Sequence, residues 1–154
     1  MSVLGIIILV AAVLFTFIFN GLIIKRNVAE NAFSIVRGLI KHRSDLLADW
    51  IDQLPEEKQQ LSEIQQIKQL AGEIMITPEK ERAKLDYQLS GILKNVPQSL
   101  EMSVQICENE TNLAAARDYY NQAAANLNNA INIQPGKLFS SMMHLKEHKL
   151  WLDE

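Results

Sequence analysis

The residues that could do chemistry are few and far apart. His144 and His148 stand four residues apart with Glu147 between them, in the order His-x-x-Glu-His. On one helix face, two such histidines can hold a metal while the acid acts as base, as in the inverted zinc proteases. The reading would be a metal-dependent hydrolase. A third ligand would have to come from elsewhere, and a solvated helix face explains the same residues. Cys107 is the one cysteine, with Glu108 and Glu110 close by. A nucleophile needs a positioned base, and this stretch has no histidine. A place on an apolar helical stripe suits an inert core thiol better. His42 lies between Leu39 and Leu46, flanked by Lys41 and Arg43. A pH sensor or metal ligand competes there with a solvated edge position, and the absence of a nearby second His or Cys favours the edge. Arg43 and Arg117 could together bind an anion. None of these sets completes a catalytic signature. The expectation is a non-enzyme with no catalytic residue, no metal, no cofactor and no identified small-molecule substrate.

The elements that must position these residues begin with Val3 to Phe19, VLGIIILVAAVLFTFIF, in which only Thr16 carries a hydrogen-bonding side chain. Apolar character resumes after Asn20-Gly21 and stops at Lys25-Arg26. A helix of about 22 residues rises ~33 Å, enough for a hydrocarbon core of ~30 Å. Residues 1–24 are therefore expected to be a transmembrane anchor. A cleaved signal peptide would carry positive charge before the run and small residues at its exit; here the exit is bulky. A soluble core helix, apolar all round, would need a larger protein around it.

Behind the anchor, residues 25–154 are expected to form one soluble α-helical bundle domain. Ala, Leu, Ile, Asn, Gln and Glu dominate there, and no window shows sustained strand alternation. The fold class is thus all-α, with a single N-terminal transmembrane helix continuing into an antiparallel bundle of about four helices. The first helix runs from 3 to 54, a rod of ~75 Å. Its inward stripe is Val28, Ala32, Ile35, Leu39 and Leu46, widened by Val36, Ile40, Leu47 and Trp50. Pro55 starts a second helix to 76, with Leu61, Ile64, Ile67 and Ile74 inward. Thr77-Pro78-Glu79 starts a third, with Thr77 as cap and Ala83, Leu85, Leu89, Ile92 and Leu93 inward. A long fourth spans about 98–133, its stripe including Val104, Cys107, Thr111 and Ala114, then Leu113, Tyr120 and Leu127. Pro135-Gly136 stops it, and a last helix covers 137–150. Long helices with coiled-coil-like spacing joined by short turns pack antiparallel.

Charge bears on compartment and partners. The net charge of −3 gives no pull towards nucleic acid. Lys25, Arg26, Arg37, Lys41 and Arg43 follow the anchor, and such a cationic excess stays cytoplasmic. The N-terminus is expected outside and the C-terminal domain inside. The same cations could meet anionic lipid.

Motifs at both ends resemble the LemA family. Phe19-Asn20-Gly21-Leu22-Ile23 is similar to its exit from the membrane helix. Ala32-Phe33-Ser34 and Lys41-His42-Arg43-Ser44-Asp45-Leu46-Leu47 are similar to its first helix. Glu110 to Asn121, with Ala116-Arg117 and Tyr120-Asn121, resembles its Glu-x-x-aliphatic-x-x-Ala-Arg-x-x-Tyr-Asn stretch. Leu127-Asn128 stands where a second Tyr-Asn falls, and Pro135 matches the proline before the last helix. Residues 56–98 carry none of this resemblance, and Ile35 and Arg37 replace two usual acids. The resemblance implies a single-pass protein of the bacterial inner membrane and supplies no reaction. Arg117, on the fourth helix, is expected to pair with Asp45 or Glu110. The expected role is a scaffold or adaptor for protein partners or self-association; the alternatives are a metal-dependent hydrolase and an envelope-stress sensor.

Overall fold

The structure is a computed structural model that describes residues 2–97 and 100–152. The chain is all-helical, with no strand among the described residues. Among the described residues six α-helices follow in order: α1 (Val3–Gln53), α2 (Glu56–Gln59), α3 (Ser62–Ile76), α4 (Glu79–Lys94), α5 (Val104–Asn132) and α6 (Gly136–Met142). The described residues divide into two compact units. One is drawn from Met1–Phe33 and Tyr119–Leu150, the other from Ser34–Asp118 and Trp151–Glu154.

In the first unit, the buried positions are Leu22, Ala29 and Ala32 of α1, and Tyr120, Ala123, Ala124, Leu127 and Ile131 of α5. Phe33 packs on Tyr120 with ring centroids 5.1 Å apart. Phe139 of α6 meets Phe15 edge-on at 5.0 Å. Gly136 opens α6 because nothing larger fits: a Cβ there would lie 1.9 Å from the Ala130 carbonyl oxygen. The segment after α6 is not helical. His144 turns the chain with φ 52°, and the backbone beyond it is held by side chains of α5. Asn128 donates to the His148 carbonyl at 2.8 Å and accepts the His148 N–H at 2.9 Å, and Tyr120 donates to the Lys149 carbonyl at 2.7 Å. The expected last helix of 137–150 is therefore half strap: those side chains take backbone groups that a helix would have paired within itself.

In the second unit, α3 and α4 pack on each other, joined by a short turn at Thr77-Pro78. The core combines Val36, Ile40, Leu47, Trp50 and Ile51 of α1 with Ile64, Ile67, Ala71 and Ile74 of α3. Ala83, Leu89 and Leu93 of α4, Ile106, Leu113 and Ala116 of α5, and Leu100 and Trp151 outside the α-helices add to it. An exposed ion pair, Arg37 to Glu79 at 3.0 Å, also joins α1 to α4.

Several expected boundaries and faces shift. The second helix breaks at Gln60-Leu61, where Leu61 is extended. There the side-chain amide of Gln65 donates to the Gln59 carbonyl and that of Gln59 to the Leu54 carbonyl, which offers the backbone an alternative to helix. Thr77 does not cap α4; its hydroxyl bonds back to the Glu73 carbonyl at 2.7 Å, closing α3. The long helix begins at Val104, and residues 98 and 99 of the expected start lie outside the described residues. Val28 and Ile35 are exposed while Leu22, Ala29, Val36 and Ile40 are buried. Likewise Val104 and Cys107 face out and Ile106 faces in. Ala32, Val36, Ile40, Leu47 and Trp50 of α1 and Leu113, Tyr120 and Leu127 of α5 are buried as expected. The register shifts by about one residue only at Val28, Ile35 and the first turns of α5, and both faces also bury an arginine that an apolar count cannot see.

Candidate functional site

Those polar residues form one cluster in the second unit. Each lies on an apolar stripe at helical spacing. Arg43 falls between Ile40 and Leu47 on α1. Asp86 and Ser90 fall between Ala83 and Leu93 on α4. Arg117 falls between Leu113 and Tyr120 on α5. Arg43 and Asp86 are wholly buried, and Arg117 is 4% exposed.

Asp86 is the hub. Its Oδ1 accepts from Nη2 of Arg43 in a buried ion pair. Its Oδ2 accepts from Nε of Arg117 at 2.7 Å and from the indole N–H of Trp151 at 2.8 Å. The Ser90 hydroxyl oxygen accepts from Nη1 of Arg43 at 3.0 Å and from Nη2 of Arg117 at 2.9 Å. Glu110 then receives Nη1 of Arg43 at 2.8 Å. The Arg117 guanidinium also lies over the Tyr87 ring, 4.7 Å from its centroid, and Tyr87 donates its hydroxyl to the Trp151 carbonyl at 3.3 Å.

Two guanidinium groups thus face two carboxylates, so the formal charge of the cluster is balanced. Burying an ion is tolerable only when it is paired and hydrogen-bonded, and here the pairing is dense. Two buried exceptions are Nε of Arg43 and the side-chain amide of Asn109, which have no hydrogen-bond partner among the described residues. A groove of about 1030 Å³ runs beside the cluster, with Tyr87, Ser90, Glu110 and Arg117 in its wall. The guanidinium groups that an anion would need there are already committed to Asp86 and Ser90.

The structure rearranges the expected contacts. Arg117 pairs with Asp86 rather than with Asp45 or Glu110. Asp45 is exposed, and Glu110 serves Arg43 instead. Cys107 is exposed, not a core thiol. His42 is exposed. His144 and His148 share no helix face, because α6 ends at Met142, so the inverted zinc-protease geometry is not formed. Among the described residues no three His, Cys, Asp or Glu side chains are placed to hold a metal ion.

Asp86, Ser90 and Trp151 were not legible as partners. One signal was present: Asp86 interrupts an apolar face between Ala83 and Leu89, where a lone carboxylate demands a buried cation.

The residues of this cluster on α1 and α5 sit inside the stretches that resemble the LemA family, and comparison with known proteins extends that likeness. The family model described as LemA family matches residues 22–152, running through the middle of the chain where no motif was legible. No curated protein and no solved structure matches the chain. With most of its length covered, including every member of the buried ion cluster, the chain belongs to the LemA family.

Proposed function

We propose that this LemA-family chain is a single-pass membrane protein whose helical part is a scaffold or adaptor for protein partners. The observation that carries the reading is the continuity of α1. One unbroken helix holds an apolar stretch long enough to cross a membrane and almost bare of protein cover, and also Arg43, a member of the buried ion cluster. An apolar surface of that extent is a lipid or protein contact, since water-facing patches of such size are rare. In this reading residues 1–24 anchor the chain and residues 25–154 form the bundle of about four helices. The cations Lys25, Arg26, Arg37, Lys41 and Arg43 favour a cytoplasmic bundle on a bacterial inner membrane. The cluster is a structural lock rather than a reaction centre: its charges satisfy one another. Partners then meet the outer faces, where Gln60, Gln65, Gln66 and Gln69 are exposed.

Crosslinking in intact membranes followed by pull-down tests the role. Reproducible protein partners are expected, and their absence across growth conditions counts against the adaptor reading. Protease accessibility in intact and opened cells tests the side: the bundle should be cut only after opening.

A further inference from the structure

α6 runs alongside the membrane-length stretch of α1. Gly136, at its start, sits so near Leu22 that an added Cβ would lie 3.8 Å from the leucine Cδ2. One turn on, the Phe139 ring contacts Phe15 at 5.0 Å. Phe15 lies nine residues before Ile24, so α6 flanks α1 to a depth of about 14 Å along its axis. The exposed positions of α6 are two large apolar residues beside Lys137 and Ser141. Leu138 and Met142, spaced i and i+4, are 60% and 64% exposed, and Ile133 just before the helix is 65% exposed. On α1 at the same level Phe17 and Ile24 are also exposed. The polar groups of α6 are partly satisfied within the protein: the Ser140 hydroxyl is within hydrogen-bonding distance of the Ile131 carbonyl at 3.1 Å and of the Lys137 carbonyl at 3.0 Å.

The lengths force a choice. Residues 3–14, the part of α1 lying before these contacts, would rise only ~18 Å, well short of a hydrocarbon core of ~30 Å. A bilayer that covers the whole apolar stretch must also take in what is packed against residues 15–22.

We propose that α6 is a membrane-embedded element: it runs from the headgroup layer, where Gly136 lies by Leu22, down into the acyl chains beside Phe15, with Leu138, Met142 and Ile133 against lipid. The inference rests on the anchor reading, and adds a second membrane contact made by a short amphipathic helix. Lys137, exposed at its start, is long enough to carry its charge back to the headgroups.

The test uses the full chain with Cys107→Ser, reconstituted in phosphatidylcholine–phosphatidylglycerol vesicles. An environment-sensitive fluorophore is attached through Leu138→Cys, Met142→Cys, Ile8→Cys or Gln69→Cys, one at a time. Leu138 and Met142 are exposed, so neither substitution removes core packing. Emission at 138 and 142 should shift to the blue and be quenched by nitroxide on lipid acyl chains as at position 8, while position 69 stays red and unquenched. Quenching at 8 with red, unquenched emission at 138 and 142 overturns the inference and leaves the anchor standing. Blue emission at 138 and 142 without lipid quenching overturns it in favour of a protein covering α6. No quenching at 8 removes the anchor and the inference with it.

Discussion

Arg117 and Asp86 stand 2.7 Å apart, Nε to Oδ2, 31 positions apart in the chain and with almost no exposure to water. The same carboxylate holds Arg43. One acidic side chain on α4 therefore ties it to both long helices of the second unit, α1 and α5.

Removing that carboxylate should be severe. In Asp86→Ala, two buried guanidinium groups would keep Ser90, Glu110 and the Tyr87 ring but lose their shared carboxylate; Asp86→Asn would keep one acceptor oxygen and lose the charge. Breaking a buried pair by deleting one partner costs about 3–5 kcal/mol. Denaturant unfolding of the detergent-solubilised chain should show a loss of this order. A loss below about 1 kcal/mol, the level of an exposed pair, would show that the pairing is not energetically coupled to the fold.

Trp151→Phe separates the indole N–H from the ring. The aromatic bulk remains buried, while Asp86 loses the 2.8 Å bond. A hydrogen bond to a charged group contributes about 1.5–3 kcal/mol, so the expected effect is a moderate drop in unfolding free energy. Tryptophan emission from Trp50, the other tryptophan, serves as the probe.

Gly136→Ala should be costly for a steric reason alone. Its Cβ would overlap the Ala130 carbonyl, a backbone atom that cannot rotate away. Overpacking of this kind costs about 1–3 kcal/mol or more. A lower thermal midpoint is expected, and an unchanged one would mean that the turn before α6 yields freely.

Acid should weaken α3 through Glu63. Its carboxyl is held below the usual range chiefly by a backbone N–H at the start of α3, and by the Ser62 hydroxyl at 2.9 Å. The folded form therefore prefers the ionised acid more than the unfolded form does. That contribution is fully present above the ordinary carboxylate pKa and fades as pH falls through the lowered folded value. In Glu63→Gln the acid limb of a stability–pH curve should be shallower than in the native chain. Identical limbs would show that this N-terminal contact adds nothing.

How much of this was legible beforehand can be argued residue by residue. Pro55 and Pro78 mark helix starts because proline suits only a first turn, and α4 begins where Pro78 indicated. The long helix containing residues 3–53 was readable because nothing in it breaks an α-helix. Much of the inward face was readable, from Val36, Ile40, Leu47 and Trp50 to Leu113, Tyr120 and Leu127, but its polar members were not, because Arg43 and Arg117 occupy core positions that polarity argues against. The expected partner of Arg117 failed for the same reason: the acids sought were on the two long helices, and the true one sits on α4, in a stretch with no visible motif.

The sequence by itself determined that the chain is helical, that one helix is long and apolar enough to cross a membrane, and that the LemA likeness holds at both ends. Those properties follow from local periodicity and composition, which neighbouring residues settle among themselves. Tertiary structure decided that Asp86 neutralises Arg43 and Arg117, that His148 is strapped to Asn128 instead of helical, and that Phe139 lies on Phe15. Each joins residues at least 20 positions apart. Such pairings depend on how helices meet, and a buried charge finds its counter-ion in space, not along the chain.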